Sequence, residues 1–154
     1  MKIRILLLTL ICAVATVPGV RAQEGKAKSA DQDEQTELGA KMEKVGAAFR
    51  KLRGSAADAT KNADSLKQIA IIRENMTAAL KFDPAMKADK PAADQAKFVA
   101  AYQTKLKEEI AVVEKVEAAL KAGNNEEAAK LVAQLGQDQK DAHKQFKKGA
   151  PKKQ

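Results

Sequence analysis

The distribution of proline constrains the fold of this chain more than any other feature of its sequence. The four prolines are Pro18, Pro84, Pro91 and Pro151. They leave 19–83 and 92–150 without the residue that most strongly interrupts helices, and both stretches are rich in helix-favouring alanine, lysine, glutamate and glutamine. Alanine occurs 31 times and aromatic residues make up only 3% of the chain, whereas strands favour β-branched and aromatic side chains. The composition therefore predicts an all-α protein and argues against a β-sandwich or barrel.

Apolar residues recur every three or four positions in both halves of the first stretch. The first half has Leu38, Met42, Val45, Phe49 and Leu52, and the second has Leu66, Ile69, Ile72 or Arg73, Met76 and Leu80. This spacing places each set along one face of a helix. Gly54 is a suitable end for the first helix, and Asn62 or Ser65 is a suitable cap for the second. The second helix is expected to end before Pro84, and 83–93 is expected to form a crossing loop.

The second stretch contains two further patterns of this kind. The third helix is predicted from Phe98, Val99, Tyr102, Leu106, Ile110, Val113, Val116 and Leu120, and the fourth from Ala128, Leu131, Val132, Leu135, Ala142 and Phe146. Gly123 ends the third helix, and Asn124 or Asn125 can cap the fourth. Glu126 and Glu127 then fall in its first turn, where the helix dipole favours negative charge.

Four helices with one apolar stripe each and short loops predict an antiparallel up-down-up-down four-helix bundle. This bundle is predicted over 36–148. A disordered segment over 23–35 precedes it and a basic tail over 149–154 follows it, because neither has an apolar stripe.

The first 22 residues have the order of a secretory signal peptide. Lys2 and Arg4 precede an apolar run over 5–17, which is shorter than the ~20 residues that cross a bilayer. Small residues before a cut after Ala22 predict cleavage there, export to the periplasm and no membrane span in the mature chain. The alternatives for this pattern are a retained anchor or a buried apolar strand.

The positive charge lies outside the predicted bundle. The chain has 28 basic and 20 acidic residues, a formal net charge of +8. Three of the basic residues lie in the signal peptide, and five lysines follow His143 with no acidic residue among them. The segment 23–143 therefore has 20 residues of each sign. This neutrality gives no support for nucleic-acid binding.

No sequence motif indicates an enzyme. The chain has one histidine and one cysteine, and Cys12 would leave with the signal peptide, so a zinc site with several ligands is not expected. The adjacent pairs Glu108-Glu109 and Glu126-Glu127 diverge by ~100° on a helix. We expect them at solvated helix edges rather than as catalytic pairs.

Met42 and His143 are informative as a pair. Alone, a methionine on an apolar stripe is usually core, and a histidine near a helix C-terminus usually interacts with the last carbonyls. In an up-down-up-down bundle, however, the start of the first helix and the end of the fourth are neighbours at the same end. A thioether and an imidazole that face each other across an apolar slot are the axial ligands of a low-spin haem.

The sequence resembles the cytochrome b562 family of periplasmic haem-binding four-helix bundles over roughly 37–148. The fourth helix carries the strongest similarity: the interval from Gly123 to His143, a Glu-Ala after the glycine, Leu135 eight residues before the histidine and an aromatic residue after it. In the first helix, the seam around Met42 has the spacing of the family's methionine ligand.

The resemblance implies that Met42 and His143 ligate haem iron and that Phe98 and Tyr102 match two aromatic residues that the family packs near the haem. Val45 and Phe49 would help to keep the site dry. The mature chain has no cysteine for a covalent link, so the expected cofactor is noncovalent haem b (iron protoporphyrin IX).

The implied function is one-electron transfer by a monomer to an unidentified redox partner protein. The sequence departs from the family at two positions: it has Gln139 and Ala142 where the family often has arginine and tyrosine. A haem-free interaction module on the same scaffold is the alternative.

Overall fold

A computed structural model describes residues 36–147, and these residues form four α-helices joined by short connections. The helices are α1 (Glu37–Arg53), α2 (Asn62–Ala79), α3 (Ala92–Lys121) and α4 (Asn125–Phe146), with 3₁₀ turns at Ala59–Lys61 and Ala85–Asp89. The part of the chain described contains no strand, which confirms the prediction of an all-α four-helix bundle. The predicted signal peptide (1–22), the N-terminal segment (23–35) and the basic tail (149–154) lie outside the described residues.

The predicted stripes form one core. Its largest fully buried apolar side chains are Leu52, Ile69, Ile72, Val113, Val116 and Leu120. Burying an aliphatic side chain of this size contributes about 1.5–3 kcal/mol, so the stripes supply the main favourable term in folding. Consecutive helices pack closely, whereas α1 and α4 approach each other at far fewer positions.

The helix ends follow from local sequence, with one correction. The hydroxyl of Thr36 accepts a hydrogen bond from the Gly39 N–H at 3.0 Å, and the Asn124 side chain accepts one from the Glu127 N–H at 3.2 Å. Gly123 has φ of 71°, a left-handed conformation that glycine adopts without strain and that ends α3. The predicted cap of α2 by Asn62 or Ser65 is wrong, because no side chain caps this helix. Both side chains are instead used in tertiary contacts.

Side-chain amides connect the two loops at one end of the bundle. Asn125 Nδ2 donates to the Ala56 carbonyl at 2.8 Å and to Asn62 Oδ1 at 2.6 Å. Asn62 Nδ2 donates in turn to the Leu120 carbonyl at 3.3 Å. The buried Ser65 exchanges a 2.8 Å hydrogen bond with Ser55 nearby. The connection between α1 and α2 is therefore fixed to the connection between α3 and α4.

The opposite end of the bundle contains the start of α1 and the end of α4. Within Glu37–Arg53 and Asn125–Phe146, no hydrogen bond or ion pair between side chains joins these two helices.

No helix among the described residues is both long and apolar enough to cross a membrane.

Candidate functional site

Phe49 and Gly136 mark the contact between α1 and α4. The Phe49 ring is 4% exposed and lies against the α4 backbone at Gly136. A methyl group added to Gly136 would lie 3.5 Å from Phe49 Cζ, an ordinary van der Waals distance. Phe49 and Gly136 are therefore level with each other, and this contact shows the register of the two antiparallel helices.

The same register places Met42 and His143 level with each other. Met42 precedes Phe49 by seven residues and His143 follows Gly136 by seven, so each lies about 10.5 Å further along its helix, toward the same end. Seven residues are close to two full turns, so each side chain also shares the face of its reference residue. We therefore expect the Met42 thioether and the His143 imidazole on the facing sides of α1 and α4.

The two side chains differ in exposure. Met42 is half-buried and packs against the hydrophobic core, whereas His143 is exposed near the end of α4. Neighbouring atoms still desolvate the imidazole enough to lower the pKa of His143, and the charge of Lys147 lowers it further. A lowered pKa keeps the imidazole neutral at pH 7, which is the form that binds iron.

The sparse packing between α1 and α4 leaves a groove on this side of the bundle. A cavity of about 230 Å³ lies beside Arg53 of α1, and its other lining residues all belong to α4: Ala129, Val132, Ala133, Gly136, Gln137 and Lys140. Its lining includes neither Met42 nor His143.

Aromatic residues close the core beside this end of the groove. Phe98 and Tyr102 of α3 both contact Phe146 of α4, with ring centroids 5.3 and 5.5 Å apart. Val45 is 6% exposed and lies in the same core as Phe49. Val45, Phe49 and Tyr102 therefore lie in one buried core, and Phe98 packs against it. Phe146 belongs to the same core, and its position one turn after His143 could have indicated it from the sequence.

Glu109 corrects a prediction. Adjacent glutamates were expected at solvated helix edges, and Glu108 is indeed exposed. Glu109 is instead only 8% exposed, and its Oε1 atom has no hydrogen-bond partner. The reason lies in the spacing of α3, because Glu109 follows Leu106 by three and precedes Val113 by four, as a seam residue does.

The described residues contain no group of three or more histidine, cysteine, aspartate or glutamate side chains that could hold a metal ion. The predicted pair of Met42 and His143 would need a planar cofactor to supply the other four ligands of an iron. A thioether and an imidazole that face each other across an apolar groove can ligate a haem iron from its two sides.

A scan against protein-family models gives one match, which covers nearly all of the described bundle. The model of cytochrome b562 matches residues 37–147. Searches of curated proteins and of solved structures gave no significant match.

Proposed function

Because the chain belongs to the cytochrome b562 family, we propose that it is an exported b-type cytochrome that carries one electron. Members of this family are periplasmic four-helix bundles that bind haem noncovalently and act as electron carriers rather than enzymes. For this chain we further propose periplasmic export through a signal peptide cleaved after Ala22.

The observation that carries the proposal is the contact between Phe49 of α1 and Gly136 of α4. From this contact, helix geometry puts Met42 and His143 at the same level on two neighbouring helices. A flat macrocycle needs space between two helices and a ligand on each side of it. Among the neighbouring helices α1 and α4 pack least closely, which supports insertion of a macrocycle between them.

The surrounding residues suit a low-spin haem. Val45, Phe49, Phe98 and Tyr102 would exclude water from one side of the macrocycle. A methionine ligand and an apolar environment stabilise ferrous iron and raise the reduction potential. With Met42 and His143 both bound, no iron position stays open for a substrate, which fits electron transfer.

Met76 is another methionine of the described helices and provides a matched control. It is buried in α2, and the α1–α2 pairing through Ser55 and Ser65 puts it near the level of Met42. However, α2 is not the neighbour of α4 in the bundle. A thioether on α2 therefore does not face His143 across the groove.

The test is haem titration of the mature chain, 23–154, followed by reduction. We expect stoichiometric binding and a sharp low-spin α-band in the wild type. Met42→Leu and His143→Ala should each lose the band or convert it to a high-spin spectrum, whereas Met76→Leu should keep it. A wild type that binds haem no better than the Met42→Leu/His143→Ala double variant overturns the proposal.

Gln139 and Ala142 favour a second candidate function. The family often has arginine and tyrosine at these places beside the histidine, and neither residue is present here. A haem-free bundle that binds another protein would not need them. The same titration separates the two functions, since this candidate predicts no saturable haem binding.

A further inference from the structure

Glu109 is a buried carboxyl group that the proposed haem ligation does not use. It lies on the core-facing seam of α3 between Leu106 and Val113, and it keeps 8% of its surface exposed. No protein group donates a hydrogen bond to its Oε1 atom. A carboxylate in such a place is costly unless a proton or a nearby positive charge compensates it.

Tyr102 is the other buried polar side chain without a partner. Its hydroxyl and Glu109 Oε1 are the two buried side-chain atoms of the described residues that lack a hydrogen bond. The two residues are seven positions apart on α3, so they share its core face with about 10.5 Å of helix between them. Tyr102 is the nearer of the two to the end of the bundle that holds the proposed haem site. Glu109 lies about two helical turns further from that end.

The α3–α4 register gives the position of Glu109 relative to His143. Lys105 Nζ lies 3.6 Å from Asp138 Oδ1, so these two residues are level. His143 is five residues beyond Asp138, which puts it level with Ala100 of α3. Glu109 is nine residues from that level, about 13.5 Å along the helix axis.

Charges of both signs lie near Glu109. Burial is the main effect and raises the pKa of Glu109 to about 7. Lys105 acts in the opposite direction, but Asp138 of α4 and Glu108 of α3 raise the pKa again. Lys105 is also shared, at 3.8 Å from Glu108 and 3.6 Å from Asp138. Because the carboxyl group is buried and no cation is bound to it alone, a further charge in the core can change the proton occupancy of Glu109.

We propose that Glu109 binds a proton when the haem iron is reduced and releases it when the iron is oxidised. This inference rests on the proposed function. On reduction, a one-electron donor supplies the electron to ferric iron, and solvent supplies the proton that forms the O–H bond of Glu109. On oxidation, the electron leaves to an acceptor and the carboxyl group returns its proton to solvent. The partly exposed edge of Glu109 gives that proton a way out.

The expected size of the effect follows from Coulomb's law. The axial separation of about 13.5 Å is the shortest distance the iron can have from Glu109, and at an effective dielectric constant of about 20 a unit charge there changes proton affinity by up to a factor of about ten, or one pH unit. The ferric iron has one more positive charge than the ferrous iron, so the proton is held more weakly in the oxidised protein. A tenfold change in proton affinity corresponds to about 59 mV of one-electron potential between acid and alkaline pH.

The experiment is redox-difference infrared spectroscopy of the haem-loaded protein on an electrode at pH 7. We expect reduction of the wild type to produce a carbonyl band of a protonated carboxyl group that shifts in D₂O. This band should be absent in Glu109→Gln and present in Glu108→Gln, which changes the exposed neighbour. The midpoint potential of the wild type should fall by up to about 59 mV through pH 7. In Glu109→Gln this pH dependence should be lost, while any dependence from the haem propionates remains.

The outcomes separate this inference from the proposed function. A protein that binds haem with low-spin ligation, but shows the same potential against pH in wild type and Glu109→Gln, overturns the role of Glu109 alone. A carboxyl band that persists in Glu109→Gln does the same. Failure of the wild type to bind haem overturns both proposals. If Glu109→Gln does not fold, the absence of a redox-linked carboxyl band in the wild type still overturns the role of Glu109.

Discussion

Phe49 of α1 packs against Gly136 of α4, and this contact determines which residues face each other along the groove. A Cβ atom on Gly136 would lie 3.5 Å from Phe49 Cζ. Seven residues further along each helix, Met42 and His143 reach the same level. The proposed haem ligation therefore depends on a packing contact two turns away from the ligands.

Gly136→Ala is expected to stabilise the protein. The added methyl group reaches only ordinary contact with Phe49, so it needs no rearrangement. Alanine favours a helix interior by about 0.8–1 kcal/mol over glycine, and we expect a gain of about 0.5–1 kcal/mol in the free energy of unfolding by urea denaturation. Gly136→Leu should instead displace the Phe49 ring and destabilise the protein by about 1–3 kcal/mol. A loss of stability in Gly136→Ala would contradict the 3.5 Å distance between a Cβ atom on Gly136 and Phe49 Cζ.

Glu109→Gln should stabilise the protein above pH 4.5, and most strongly at alkaline pH. The folded-state pKa of Glu109 is raised to about 7 from 4.5, so the folded protein holds this proton more tightly than the unfolded chain. The free energy of unfolding of the wild type therefore falls as pH rises from 4.5 to 7. At pH 8 the glutamine variant should exceed the wild type by up to about 3 kcal/mol, and below pH 4.5 the two should agree.

Urea denaturation at pH 4 and pH 8 measures this difference, with the exposed Glu108→Gln as the control. Equal stability of Glu109→Gln and the wild type at pH 8 would mean that the carboxylate is solvated or paired in the folded protein.

Tyr102→Phe is expected to be neutral or stabilising. The Tyr102 hydroxyl is buried without a hydrogen-bond partner, which costs about 1 kcal/mol of desolvation free energy. Removing the hydroxyl removes this cost, while the edge contact of the ring with Phe146 remains. Tyr102→Leu loses the ring contact, so it should lower the melting temperature measured by thermal denaturation. If Tyr102→Phe lowers the melting temperature clearly, the hydroxyl has a partner such as a buried water molecule.

Asn62 and Asn125 should be energetically coupled. Asn125→Ala removes the hydrogen bonds to Ala56 and Asn62 and should cost about 1–3 kcal/mol. A double-mutant cycle with Asn62→Ala should give a coupling energy of about 0.5–3 kcal/mol. The same cycle between Asn125 and the exposed Gln134 should be additive within about 0.5 kcal/mol. Additivity in the first cycle would contradict the hydrogen bond between the two amides.

The helix count and the core could be predicted from the sequence because the apolar spacing is regular and the breaks are chemically marked. Leu52, Ile69 and Val113 were expected in the core and are fully buried. Gly123 and Asn124 were expected at the turn into α4. Gly123 adopts a left-handed conformation, and the Asn124 side chain caps α4. These features depend on local chemistry, which a sequence displays directly.

Other features depend on the tertiary environment. The sequence offered Asn62 as a cap, but two distant groups, Asn125 and the Leu120 carbonyl, compete for its side chain. Glu109 was expected at a solvated edge because of its charge, although its spacing already matched the core seam. The level placement of Met42 and His143 required the Phe49–Gly136 contact, because the helix pattern gives a face but no register between helices.

NMR of the reduced protein tests the ligation by Met42 most directly. With haem bound and the methionine methyl groups labelled with ¹³C, a methionine bound to ferrous iron shows one methyl signal shifted strongly upfield by the ring current of the macrocycle. We predict one such signal in the wild type and in Met76→Leu, and none in Met42→Leu or His143→Ala. An upfield signal that persists in Met42→Leu, or a haem-loaded wild type without one, would contradict axial ligation by Met42 and His143.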